Sequence, residues 1–306
     1  MDDAVERFSR EYRNTVLLDT ARNEALKERT KDILRTTIDS LSYQLGKSDF
    51  VPADYELRFQ YLENPRIYGS IDRLDIAKDE NGYYIKILDY KSGKHSFDIA
   101  RLYYGLDLQL TVYMNGAVAA WQKMNPDKKM IPCACFFYEI ADPMPLGDTT
   151  ENPMERKERI HKELRVQGLI LEHDEVLKHL DSSNESESSV IPVKYEKNGE
   201  LASASQTVTA EQFELIRQFT DSKVRKIGQD IRNGNIDISP VMEQSAQSSC
   251  QYCAYKGVCG FDKKLPGYKE REMLLKGEAV YEEIKKELTE DGIYDRSEKG
   301  HNDTKS

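Results

Sequence analysis

Nowhere in the 306 residues is there an apolar run long enough to cross a bilayer, which argues against a membrane-spanning chain. Nor is a secretory leader expected from the opening Met1-Asp-Asp-Ala-Val-Glu, which is acidic where a leader is basic and then apolar. Cysteine is scarce, at five residues, an odd number with three of them in one short segment. Such usage speaks against a disulfide framework and for a cytoplasmic setting with metal ligation. Nor is there an excess of basic residues. Lysine and arginine number 44 against 54 acids, a net charge of −10, so the chain is no uniformly basic coat for nucleic acid. A local strip of Arg73, Lys86, Lys91 and Lys94 could still meet phosphates. No internal repeat is evident, and Gly46-Lys47-Ser48 is no P-loop, having Leu41 where that motif needs glycine. His161, His173 and His179 are expected on helix surfaces rather than as ligands.

What the chain does carry centres on Ile87-Leu88-Asp89-Tyr90-Lys91-Ser92-Gly93. Residues two apart on a strand share a face, so Asp89 and Lys91 are expected side by side at the end of an apolar run. Upstream, Gly69-Ser70-Ile71-Asp72-Arg73-Leu74-Asp75 reads as a second strand carrying acids. Asn81-Gly82 between them reads as a hairpin turn, since both residues tolerate positive φ. The hairpin brings Asp72 toward Asp89 and Lys91. Two aspartates can hold Mg2+, and a lysine beside them can orient an attacking water or offset charge on a phosphate. That is the equipment of a metal-dependent phosphodiester hydrolase. Glu56, in Tyr55-Glu56-Leu57-Arg58-Phe59 on a preceding strand, could complete the cluster. A helix expected over about 99–123 carries Gln109 and Tyr113, four apart and so on one face. Their amide and hydroxyl could position a phosphate or the lysine.

A second signal is independent of the first. Cys250-Gln-Tyr-Cys253-Ala-Tyr-Lys-Gly-Val-Cys259 packs three thiols into ten residues, a spacing that suits zinc or an iron–sulfur cluster. No histidine lies nearby to complete a zinc site, and the second Cys-x2-Cys pair of an ordinary zinc ribbon is absent.

Together, Gly-x-Ile-Asp, Asp-Tyr-Lys-Ser-Gly and Gln-x3-Tyr resemble the RecB-type nucleases of the PD-(D/E)xK superfamily. With Arg73, Asp75 and the cysteine spacing added, the chain is most similar to AddB-like nuclease subunits, over about 50–261. The resemblance implies an α/β fold: a restriction-endonuclease-like core, a mixed central sheet flanked by helices, with helical N-terminal and cysteine-cluster C-terminal appendages. It implies cleavage of single-stranded DNA with Mg2+ or Mn2+, in a helicase–nuclease of double-strand break repair and recombination. An AddA-like helicase–nuclease subunit is the implied partner. The family pattern places Asp72, Asp89 and Tyr90 at the metal, makes Lys91 catalytic, and adds Gln109, Tyr113 and Glu56. Strand parity sets Asp72 and Asp75 on opposite faces, and the pattern selects Asp72. Asp72→Ala is then expected to abolish cleavage and Asp75→Ala to leave it largely intact.

The same resemblance favours a [4Fe–4S] cluster on Cys250, Cys253 and Cys259, with a fourth cysteine upstream of the core. No cysteine precedes Cys133. Cys133 and Cys135, in the buried strand Met130 to Tyr138, are expected on opposite faces as core residues rather than ligands. The family's histidine on the first helix is missing as well, since His95 is the first histidine. Both absences suggest the C-terminal piece of a longer protein, with an incomplete cluster. Two other classes compete. One is a noncatalytic DNA-binding scaffold pinned by an iron–sulfur cluster. The other is a shorter RecB-like exonuclease of CRISPR adaptation, against which the insert between Ala141 and Val208 counts.

Periodicity divides the chain into an N-terminal helical segment (1–48), a nuclease core (49–141), an insert with a hairpin (142–208), a long helix with the cysteine segment (209–262) and a charged tail (263–306). In the first, Leu26, Ile33, Ile38 and Leu41 mark an apolar stripe. The core holds three strands to Lys91 and another over 130–140. In the insert, 142–148 reads as a Pro-rich loop, 155–166 as a charged helix, 169–181 as a peripheral helix and 181–189 as mobile. A hairpin around Asn198-Gly199 follows. The long helix, 209–233, buries Phe213, Ile216, Phe219, Val224, Ile227 and Ile231. The last residues, 301–306, look disordered.

Overall fold

A computed structural model describes residues 1–12, 20–143, 152–183, 185–243, 249–251, 253–262, 264–267 and 270–294. Most of the expected Pro-rich loop and the whole of 301–306 lie outside them. The chain forms two compact units, one of 1–59, 69–96 and 116–209, the other of 60–68, 97–115 and 210–306.

The first unit is built on a six-stranded sheet in the order β1 (Val51–Tyr61), β2 (Ile67–Asp79), β3 (Gly82–Lys91), β4 (Met130–Glu139), β5 (Gln167–Leu171), β6 (Thr207–Val208). Antiparallel β2–β3 and β4–β5 pairs alternate with parallel β3–β4 and β5–β6 pairs, so the sheet is mixed. Asp79 pairs with Gly82, which makes Glu80-Asn81 the two-residue loop of the hairpin, one residue earlier than expected. The Asp79 carboxylate accepts from the Asn81 and Gly82 N–H groups and so closes the turn itself. Gly82 is required for another reason: its φ is +145°, and a Cβ there would sit 2.4 Å from the Lys129 carbonyl oxygen.

Between β3 and β4 the single expected helix is two, α3 (Ile99–Tyr103) and α4 (Gln109–Met124). The break includes Gly105 at φ +80°, a backbone conformation no α-helix continues through. Near its middle, α4 approaches β1 so closely that a Cβ on Gly116 would lie 2.4 Å from the Phe59 ring. Gly116→Ala is therefore expected to cost about 1–3 kcal/mol of stability through overpacking. Urea unfolding measures it, and an unchanged midpoint would mean that the ring swings aside.

One sheet face is buried by the insert. Tyr84, Leu88, Phe136 and Tyr138 pack with Val176, Leu177 and Leu180 of α6 (Asp174–Leu180) and with Val190, Ile191 and Val193. Residues 169–171, expected as the start of the peripheral helix, belong instead to a sheet strand, because β5 has β4 to pair with on one side and β6 on the other. Among the described residues of the stretch expected to be mobile, Asp181 and Ser188 are anchored. Ser188 is buried, donates to Asp181 at 2.5 Å and accepts from the Val190 and Ile191 N–H groups. The hairpin at Asn198-Gly199 is reduced to one antiparallel bridge, Tyr195 to Leu201. The charged helix is α5 (Pro153–Glu163), opened by an Asn152–Glu155 capping box.

The N-terminal helices α1 (Asp2–Glu11) and α2 (Ala21–Gly46) pair through charge rather than through the expected apolar stripe. Leu26 and Ile38 are exposed, whereas Lys27 and Lys31 are buried. Glu6 of α1 holds both lysines, Lys31 at 2.5 Å and Lys27 at 3.2 Å. Polar residues with partners displaced the leucine face.

In the second unit, α7 (Ala210–Arg232) packs its Phe213, Ile216 and Phe219 face alongside α9 (Glu278–Glu290), which buries Val280, Ile284 and Leu288. Tyr103 of α3 stacks on Phe219 at 5.5 Å. The expected burial stops short of the helix end: Ile227 and Ile231 are exposed, 41% and 72%. A short parallel pair, β7 (Val241–Met242) with β8 (Arg271–Glu272), flanks α8 (Lys256–Cys259) in sequence. Asp221 of α7 accepts from the Tyr61 hydroxyl and the Asn115 amide, and burial pushes its carboxyl up to about 6. A carboxyl raised in the fold makes folding favour the protonated form, so its contribution to stability falls as pH rises from about 4 to about 6. The thermal midpoint of wild type minus that of Asp221→Asn is expected to rise on acidification through that window. A pH-independent difference would contradict the assignment. Among the described residues no helix is long and apolar enough to cross a membrane.

Candidate functional site

The β2–β3 hairpin has two functional faces because residues two apart share a side and residues one apart do not. On the front are Asp72, Asp89 and Lys91. The register that pairs Arg73 with Leu88 carries Asp72 toward Asp89 at the next step. Lys91 Nζ lies 2.5 Å from the Asp89 carboxylate, which is almost fully buried. Asp72 Oδ2 accepts from the Tyr90 N–H at 2.7 Å, so β3 itself fixes the orientation of that carboxylate. Burial raises the Asp89 carboxyl above the ordinary carboxylate range; Lys91 pulls it down, and the neighbouring Asp72 charge pushes it up again. Two carboxylates that repel across a strand pair, one of them desolvated, are best relieved by a cation.

Glu56 lies on the same side of the hairpin but a step away. Its carboxylate accepts from Ser70, two residues before Asp72, at 3.1 Å. Its φ of +50° is a strained conformation for a residue other than glycine, and such strain clusters at functional positions. Among the described residues, no three His, Cys, Asp or Glu side chains are grouped so as to hold a metal ion. Asp72 and Asp89 could offer two carboxylate donors. Such a set suits Mg2+, which takes one or two protein carboxylates and completes its shell with water and phosphate oxygens.

The back face corrects an expectation. Arg73 and Lys86, half of the basic strip offered to phosphates, are buried. Both point at Asp75, which is wholly buried: Arg73 donates in bidentate fashion at 2.7 and 2.6 Å, and Lys86 lies at 3.0 Å. Burial opposes the Asp75 charge, but Lys86 and Arg73 outweigh it and hold the carboxyl below its ordinary range. Arg73 also donates to the Tyr90 hydroxyl at 3.2 Å. Asp75 and Lys86 are direct cross-strand partners only because the turn falls one residue early; the expected Asn81-Gly82 loop would have set Leu88 opposite Asp75.

Sequence reasoning also missed Phe137, which pairs with Asp89 from β4. Lys91 sits 5.6 Å over its ring and His95 packs at 5.4 Å from it, so one aromatic platform carries both side chains beside the front acids. Gln109 and Tyr113 belong to the second unit, where the Gln109 amide donates to the Tyr113 hydroxyl at 3.1 Å. The shared face expected for them is present.

Cys250, Cys253 and Cys259 are also in the second unit, exposed or half-buried, with the Cys253 N–H bonded back to the Cys250 carbonyl. The thiols have the right chemistry for a thiophilic centre, but among the described residues they do not converge into a metal-holding group. Cys133 and Cys135 are fully buried in β4, and Cys133 donates to the Ile85 carbonyl. Plain alternation would put residues two apart on one face. A register slip between Ile85 and Lys86 inserts Cys133 as an extra residue, leaving it packed near Ala134 and Phe136 while Cys135 pairs with Ile87. Of the histidines expected on surfaces, His161 is buried, stacked on Tyr43 at 3.9 Å and bonded to Asp39 at 3.0 Å. His179 bonds Asp49 at 2.9 Å. Both join elements of the first unit.

A mixed sheet whose hairpin ends in Asp72, Asp89 and Lys91 defines the class, and the sequence pattern of the PD-(D/E)XK nuclease superfamily matches residues 1–260; the chain belongs to that superfamily. Within it, the chain is similar to proteins named as the B subunit of an ATP-dependent helicase/deoxyribonuclease. It is 32% identical to that of Alkaliphilus oremlandii over 302 residues, 94% of this chain and 26% of the relative. It is 30% identical to that of a Thermoanaerobacter species, covering 90% and 25%, and 32% identical to that of Lachnoclostridium phytofermentans, covering 93% and 25%. The chain spans about a quarter of the length of these relatives.

Proposed function

We propose that this chain is a Mg2+- or Mn2+-dependent deoxyribonuclease module that hydrolyses phosphodiester bonds of single-stranded DNA. The observation that carries the reading is the front-face trio: Asp72 oriented by the Tyr90 amide, Asp89 desolvated, and Lys91 held against it. Asp72 and Asp89, with the Tyr90 carbonyl as a further donor, would hold a divalent cation, which when bound would supply Lewis-acid activation of the phosphate and of water. Lys91 orients the attacking water and offsets the charge that builds on the phosphate oxygens. Glu56, tethered to Ser70, extends the acidic rim, and Gln109 and Tyr113 bind backbone phosphate. The relatives are named as the B subunit of an ATP-dependent helicase/deoxyribonuclease, which supports work inside a helicase–nuclease beside another subunit; this reading assigns it an AddA-like partner and a role in double-strand break processing.

A [4Fe–4S] cluster belongs to this reading only with help from outside the chain. Cys250, Cys253 and Cys259 provide three thiolates, and the buried Cys133 and Cys135 cannot provide a fourth without breaking β4. The cluster is structural in this account, and no step of hydrolysis passes through it. The test of the reading is digestion of end-labelled single-stranded and double-stranded DNA with Mg2+, with Mn2+ and with chelator. Cleavage of single strands that chelator abolishes supports it; cleavage indifferent to chelator, or confined to duplex, sinks it.

A further inference from the structure

We propose that the buried Arg73–Asp75–Lys86 cluster on the back of the sheet is a positioning device that sets the separation of the front carboxylates, with Tyr90 as the link. The inference rests on the reading that Asp72 and Asp89 hold a divalent cation. Its geometry follows from chain adjacency. Arg73 directly follows Asp72, and Tyr90 directly follows Asp89. The 3.2 Å bond from Arg73 to the Tyr90 hydroxyl therefore ties β2 to β3 immediately behind the two acids. On the front, the Tyr90 N–H holds Asp72 at 2.7 Å. One residue thus touches both layers: its amide fixes a metal-binding carboxylate, and its hydroxyl is fixed by the back cluster.

The cluster is rigid where a lone arginine would not be. Asp75 engages two nitrogens of the Arg73 guanidinium, which locks the plane from which Arg73 reaches Tyr90. Lys86 fills the remaining side of Asp75 and is itself seated 4.7 Å over the Phe50 ring. Burying three charges costs several kcal/mol per ion before the attraction is counted, and apolar residues of similar volume stabilise a core as well or better. The return on such a cluster is geometric. Two carboxylates facing each other across a strand pair repel when the cation is absent, and the tie keeps them at the separation the cation needs. Because Arg73 and Lys86 are buried, neither is available to DNA, which leaves the cluster no direct role toward substrate.

Tyr90→Phe removes the hydroxyl and leaves the backbone amide and carbonyl in place. Tyr84→Phe is the control: the same strand face, six residues earlier, with a hydroxyl bonded to Asp79 and Glu175 but remote from the acids. Mn2+ binding to the whole chain is read by paramagnetic resonance titration, alongside thermal unfolding and the Mn2+ dependence of cleavage. Tyr90→Phe is expected to raise the Mn2+ dissociation constant about tenfold and shift the half-saturating metal concentration equally, as outer-shell changes at metal sites do. Tyr84→Phe is expected to move neither. If Tyr90→Phe does not fold, Arg73→Lys, which keeps the charge beside Asp75 but cannot also reach Tyr90, is expected to give the same shift. Folded variants that bind Mn2+ within about twofold of wild type would overturn the proposal. Asp72→Ala separates the two levels: if wild type binds no Mn2+ in an Asp72-dependent way, the metal reading fails and the positioning role falls with it.

Discussion

Replacing Asp75 by alanine is expected to cost about 3–5 kcal/mol of folding stability, the effect of removing one partner from a buried charge cluster. The carboxylate is wholly buried and meets Arg73 at 2.6 Å and Lys86 at 3.0 Å. Its loss leaves Arg73 and Lys86 side by side in the core without their counter-charge. This reverses what the sequence alone suggests, namely that Asp75→Ala would leave cleavage largely intact because Asp75 faces away from the metal. Asp75 does face away, but onto a cluster that the fold depends on. Loss of cleavage in this variant therefore reports the positioning of the front carboxylates where the protein is shown to be folded, and otherwise reports unfolding. Urea denaturation measures the cost directly, and a change below about 1 kcal/mol would contradict the buried cluster. Replacing all three charged residues by apolar ones of similar size is expected to recover much of the stability. It should not recover metal affinity, if the cluster's role is geometric.

Lys91→Met is expected to act mainly on chemistry: cleavage falls by about 10²–10³-fold, the scale for removing one preorganised electrostatic group, in protein that remains folded. Lys91 is partly exposed at the rim, with its ammonium 5.6 Å over the Phe137 ring, and methionine keeps a chain of similar length while deleting the charge. Single-turnover cleavage at saturating metal separates this from a metal-binding defect. A variant that cleaves as fast as wild type would remove Lys91 from the mechanism.

The site was legible in the sequence where local rules determine it. Asp89 and Lys91 came from strand parity and the choice of Asp72 over Asp75 from the family pattern, and the structure keeps all three on the front face. What parity could not supply was the content of the opposite face. Arg73 and Lys86 look like surface cations in a linear reading, and only the Asp75–Lys86 cross-strand pair reveals that they are buried. The long helices α2 and α7 follow from periodicity, yet the residues they bury do not. Glu6 neutralises Lys27 and Lys31 and draws them inward, and the α7 core contacts end before Ile231. The insert is illegible for a third reason. Whether 167–171 is a strand depends on β4 and β6, residues distant in sequence, and no local pattern encodes that pairing. Gly105 was a local signal, and it is where the expected single helix divides.

The most direct measurement is the rate of cleavage of end-labelled single-stranded DNA in Mg2+ by the wild-type chain and by Asp89→Ala, with both shown to be folded. Cleavage by the wild type that falls to background in Asp89→Ala is the expected result, and it would establish a metal-dependent nuclease centred on Asp89 and Lys91. Equal cleavage by the two folded proteins, or none by either, would contradict the account.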